Sequence, residues 1–108
     1  MSVSGQTFYS HENKTCVHNE STQEFEECTT GQEEVMWVFG NNTIEYRDAS
    51  QTILFFVEDA TGKDDEYIEY RVVSRKIPHA YIIVYRDPAS ISVMYMTEHG
   101  LTLVVYYI

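Results

Sequence analysis

Few side chains in this chain have the types and spacings that chemistry requires. Histidines stand at positions 11, 18, 79 and 99, scattered over loops and strand ends. Cys16, His18 and Glu20 alternate and could turn ligands to one side, but a closed zinc site needs a fuller set and no further ligand suggests itself. Glu58, Asp59, Asp64, Asp65 and Glu66 crowd one polar segment. Calcium favours such oxygens, yet the EF-hand spacing is missing. A pair of carboxylates could serve glycoside hydrolysis, but nothing singles out a pair. The five glycines never cluster into a phosphate loop or dinucleotide fingerprint, and no Gly-x-Ser-x-Gly elbow occurs. The expectation is a protein without catalytic residues, metal or cofactor.

Cys16 and Cys28 are the only cysteines. They are symmetric about Thr22, which would set them opposite each other in a hairpin turning at Glu20 to Gln23. In an oxidising compartment they would close a short loop worth about 3 kcal/mol. In a cytosol they would be two free thiols. Asn13-Lys14-Thr15, Asn19-Glu20-Ser21 and Asn41-Asn42-Thr43 match the glycosylation sequon. The polar, sequon-bearing N-terminal region and the low lysine count favour the disulfide. A periplasmic or extracellular location is therefore expected over a cytoplasmic one, although Met1 to Gly5 has neither the charged start nor the apolar stretch of a signal segment.

Nine tyrosines, five phenylalanines and Trp37 are the richest resource. Tyrosine has an apolar body and a polar tip and suits a boundary with one wet side. Trp37, Tyr46, Tyr70, Tyr85, Tyr95 and Tyr106 are the candidates for an aromatic mouth holding a small apolar ligand, or for a protein interface. The competing reading is plain core, because small barrels fill themselves with side chains.

The net charge is −10, and residues 1–34 alone carry −6. Such a surface repels phosphate, which argues against nucleic acid and anionic lipid as partners. It suits solubility or a basic partner. No apolar run is long enough for a membrane-spanning helix.

The elements that must position these residues read as strands. From His79 to Ile108 three runs dense in Val, Ile and Tyr are separated by Arg86–Ser90 and by Thr97–Gly100. β-Branched and aromatic residues crowd a helix but fit a pleated surface. Pro88 and Asp87 suit a turn, and Gly100 can take positive φ in a hairpin loop. The last run, Leu101 to Ile108, is apolar on both faces, as in a strand covered twice or one facing a partner chain. Upstream, strands are expected at Gly5–His11, Gln23–Thr29 (a charged edge), Val35–Phe39, Thr43–Arg47, Thr52–Val57 and Tyr67–Ser74. Loops or turns are expected at Asn13–Thr22, Thr30–Gln32, Gly40–Asn42, Asp48–Ser50, Glu58–Glu66 and Arg75–Pro78. At 108 residues this is one domain, all-β. About eight strands with mostly short connections predict an antiparallel meander closing into a small up-and-down barrel or half-barrel, with a β-sandwich as the alternative.

From Val35 onward the chain resembles a group of small secreted β domains of unknown function from Bacteroides-type gut bacteria. The likeness rests on the rhythm VMWVFGNNTIEYRD, the strand Gln51-Thr52-Ile53-Leu54-Phe55, the paired strands after it and the final aromatic run. It implies a lipocalin-like shape and brings no functional residues. The function expected from all this is a non-catalytic, exported binding module for an unknown small apolar ligand or protein partner. The alternative is an acidic interaction or mimic protein, such as a phage inhibitor of a nucleic-acid-binding enzyme. A homodimer through the second face of the last strand is a third expectation.

Overall fold

A computed structural model describes residues 5–63, 66–86, 89–98 and 100–108. Eight strands follow one another in chain order: β1 (Thr7–Asn19), β2 (Glu24–Phe39), β3 (Thr43–Arg47), β4 (Thr52–Lys63), β5 (Tyr67–Val73), β6 (Ala80–Arg86), β7 (Ala89–Thr97) and β8 (Gly100–Tyr107). Each pairs antiparallel with the next, and β8 pairs back onto β1 from Glu12↔Tyr107 to Val17↔Thr102. The ring is therefore closed in up-and-down order, with no Greek-key crossing, and the sandwich alternative is set aside. It is not evenly round, measuring 39 × 33 × 28 Å.

The interior follows from two-residue periodicity. Val35, Trp37 and Phe39 of β2, Ile44 and Tyr46 of β3, Ile53 and Phe55 of β4, and Val72 of β5 turn inward. Ala80, Ile82 and Val84 of β6 and Ile91 and Val93 of β7 close the cluster. Aromatic edges interlock within it: Phe39 meets Phe8 at 5.6 Å and Tyr70 at 6.0 Å between ring centroids.

Three expected loops are strand instead. β1 runs on through Asn13 to Asn19, where a loop or hairpin flank was expected. Thr30–Gln32, expected to turn, lies inside the 16-residue β2 and pairs with Glu12 to Lys14. Glu24–Thr29 is strand, as expected, and pairs with β1 on one side only, because β3 reaches β2 no further than Met36–Phe39, so this part of β2 keeps an edge. Glu58 to Lys63 extends β4 and pairs with β5. In each case main-chain pairing within a long hairpin outweighs side-chain polarity, since polar residues are tolerated on a sheet's solvent face. Bulges absorb the mismatch, between Ser10 and Glu12, between Thr15 and Val17, and between Val57 and Asp59. Glu27, at φ 54°, marks the bulge beside Cys28. Gly100 has the expected positive φ, 110°. The expectations placed on Asp64, Asp65, Asp87, Pro88 and His99 fall outside the described residues.

Candidate functional site

The strands' alternation puts the connections 20–23, 48–51 and 74–79 at one end of the ring, with the end of β7 at Thr97 and the start of β8 at Gly100. Two of them are stiffened by their own side chains. Asp48 Oδ1 accepts from Ser50 N (2.8 Å), Ser50 Oγ (2.9 Å) and Gln51 N (2.8 Å), an aspartate-capped turn. Ser74 Oγ accepts from Ile77 N at 2.9 Å, and Ser74 N donates to Ile77 O at 3.0 Å. Lys76 Nζ then donates to Gln51 Oε1 at 2.6 Å and ties the two connections together.

Beneath them opens a pocket of about 110 Å³, lined by Trp37, Tyr46, Gln51, Ile53, Phe55, Ile77, Val93, Tyr95 and Tyr106. Its aromatic wall is built by register. Trp37 and Tyr46 are directly opposed across β2 and β3, with ring centroids 5.2 Å apart at 70°. Tyr106 comes from β8 and meets Trp37 at 5.4 Å and Tyr46 at 5.8 Å, so the three rings pack edge to face.

A polar chain runs out of this wall. The Tyr106 hydroxyl interacts with that of Tyr46, and Tyr46 Oη donates to Asp48 Oδ2 at 2.6 Å. Burial pushes the Tyr106 phenol up to about 12, against the opposing effect of its interaction with Tyr46, and burial with the bond to Asp48 raises Tyr46 as well. Both therefore stay neutral across physiological pH. Desolvation opposes the charge on Asp48, but the hydrogen bonds from Tyr46, Ser50 and Gln51 prevail and hold its carboxyl well below the usual range. Glu33 lies against Asp48 and is raised, first by desolvation, then by hydrogen bonding to that carboxylate and by its charge. Among the described residues, the Trp37 indole nitrogen is the one buried side-chain polar atom without a hydrogen-bond partner.

Four of the six expected aromatics, Trp37, Tyr46, Tyr95 and Tyr106, line this pocket. Tyr70 instead packs on Phe39, and Tyr85 stands on the outer face against Tyr67. Asp48, Glu33 and Gln51 were not singled out by sequence. The one signal was local: Tyr46-Arg47-Asp48 puts an acid two residues beyond an inward tyrosine, at a turn.

Cys16 and Cys28 form a disulfide across the β1–β2 hairpin, whose turn falls at residues 20–23 as the symmetry predicts. The bond is consistent with an oxidising, exported location. It also takes the Cys16 sulfur out of the metal set considered with His18 and Glu20, and the His18 ring packs on Phe25 at 5.3 Å. No group of three or more His, Cys, Asp or Glu among the described residues is placed to hold a metal. Of the sequon asparagines, Asn19 is engaged with Glu26 Oε2 at 2.8 Å and with the amide of Ser21, Asn13 is half-buried, and Asn41 is exposed. No helix among the described residues is long and apolar enough to cross a membrane.

Comparison of the chain with protein-family models, curated proteins and solved structures finds no match to any of them.

Proposed function

We propose that this protein is a non-catalytic, exported binding module whose ligand enters the aromatic end of the barrel. The observation that carries the reading is the pocket under the 48–51 and 74–79 connections, where five aromatic side chains and three aliphatic ones surround space for a small group. Its volume is below the ~150 Å³ of an apolar cavity that takes benzene, so only a compact head enters and the remainder of a ligand stays outside. The unpaired Trp37 indole N–H adds a donor that a ligand oxygen could satisfy. Trp37 is the chain's only tryptophan and serves as the reporter. Titration with cyclohexanol, phenol and 3,3-dimethylbutan-1-ol is expected to change its fluorescence saturably. A linear or absent response to every small solute tried, charged ones included, ends the reading.

A second reading, self-association, is favoured by the outer face of β6 to β8. Among the described residues, β7 and β8 hold no acid or base, in a protein of net charge −10. Their outward side presents Met94, Met96, Leu101, Leu103, Val105 and Tyr107, flanked by Tyr81, Ile83 and Tyr85 of β6. Met96 is 71% exposed, Tyr107 42%, Tyr81 41% and Tyr85 38%. At full side-chain areas on the order of 200 Å², the patch exposes roughly 500 Å² per copy. A pair would bury about 1,000 Å², the lower bound of a specific interface. An uncharged face is compatible with its own copy, where a charged one would repel it.

A further inference from the structure

The aromatic pocket has an electrostatic character that its apolar lining alone does not convey. Trp37, Tyr46, Tyr95, Tyr106 and Phe55 present π-systems to one small space. The faces of such rings are the negative side of the quadrupole and attract cations. Tyr46, on the pocket wall, is tied by its hydroxyl to Asp48 at 2.6 Å, so a carboxylate stands one hydrogen bond behind the wall. Glu33 interacts with that carboxylate and so adds a second acid beside Asp48. The opposing charges nearby are Lys76, whose ammonium is already directed to Gln51 Oε1 at 2.6 Å, and Arg47, which lines the outer cavity with Asp48 and pairs with Glu45 at 2.9 Å. Both tyrosines keep their protons, so the rings offer neutral faces rather than phenolates. The molecule as a whole carries −10, a field that concentrates cations around it.

We propose that the pocket takes a small organic cation, a methylated ammonium or comparable alkylammonium head, held against the Trp37, Tyr46, Tyr95 and Tyr106 rings with Asp48 and Glu33 supplying the counter-charge. This rests on the reading of the pocket as the ligand site and adds the chemical class of the ligand. The size bounds the fit: about 110 Å³ holds the leading methyl groups of an alkylated ammonium, and the rest of the ligand stays at the mouth. The chemistry agrees as well, because an alkylated ammonium is apolar at its surface and sheds its water at lower cost than a bare one. Aromatic walls backed by carboxylate are a means of binding such a group without a direct hydrogen bond to it. A free anion is disfavoured by the two acids, and a neutral head would leave their charge unused.

The test compares choline with 3,3-dimethylbutan-1-ol, the same shape without the charge, by titrating Trp37 fluorescence of the intact protein. Choline is expected to bind about tenfold more tightly at low salt, a cation–π-sized preference that narrows as salt screens the acids. Asp48→Asn, which keeps an amide oxygen for Tyr46, and, independently, the exposed-site Glu33→Gln are expected to lower the ratio of choline affinity to alcohol affinity several-fold. Retained alcohol binding shows that a variant is folded. Equal affinity for the two probes overturns the cation assignment while the pocket reading stands. Binding of neither overturns both. A choline preference unaltered in both variants overturns the roles given to Asp48 and Glu33.

Discussion

Asp48 shows how much one side chain can carry. It accepts four hydrogen bonds, closes the β3–β4 turn and steadies the aromatic wall through Tyr46. Its carboxyl is held below the usual range in the folded protein, so it contributes stability that is fully present above the unfolded value of about 4 and is lost as pH falls towards the folded value. Asp48→Ala is expected to cost roughly 2 kcal/mol at neutral pH, because charge-assisted bonds are lost and Tyr46 loses its acceptor. The deficit against the parent should shrink in acid, which urea unfolding at pH 7 and pH 3 will measure. A deficit independent of pH would contradict the assignment. Such a residue is hard to find in a sequence. Asp48-Ala49-Ser50 reads as a turn from its composition, but the fact that Asp48 also receives a buried tyrosine depends on which face Tyr46 takes, and that depends on register.

Among the elements, the β1–β2 hairpin departs furthest from expectation. Its strands are 13 and 16 residues long, and the sequence there is polar enough to resemble loop. What holds β1 is contact on both sides: it lies between β2 and β8, so even Lys14 and Asn13 have partners to left and right, while Glu24–Gln32 of β2 has β1 alone. Strand runs such as Val35–Phe39 and Leu101–Tyr107 were legible from their density of branched and aromatic residues, and Thr43–Arg47 from its alternation. Strands whose inner face is small or polar leave no such trace. Asn13, half-buried, faces Gly31 so closely that its Oδ1 would lie 3.0 Å from any Cβ placed there. The disulfide matters more where little apolar surface is buried. Cys16→Ser with Cys28→Ser is expected to lose about 3 kcal/mol, read from denaturant midpoints, and a smaller loss from a reductant in the parent would argue that the hairpin is held otherwise.

At the scale of the whole molecule, the eight-stranded order was legible and its closure was an inference from connection length. The candidate site was half legible: rings could be nominated by type, but which of them share an end of the barrel required the register. The uncharged outer face of β6 to β8 leads to a prediction at this scale. If two copies associate, each with net charge −10, raising salt should strengthen the pair by screening their repulsion. Light scattering at high concentration is expected to show a salt-promoted dimer that Met96→Glu or Val105→Glu abolishes. A monomer at every salt concentration removes the self-association reading and leaves the pocket untouched.

Closure between β1 and β8 also decides how the molecule meets a pulling force. The two strands run antiparallel as neighbours, so tension applied at their outer ends opens the rungs from Glu12↔Tyr107 to Val17↔Thr102 one after another instead of loading them together. The seam is thus the mechanically soft line of an otherwise endless sheet. Once it parts, the covalent link between Cys16 and Cys28 keeps the first hairpin joined while the remainder unrolls.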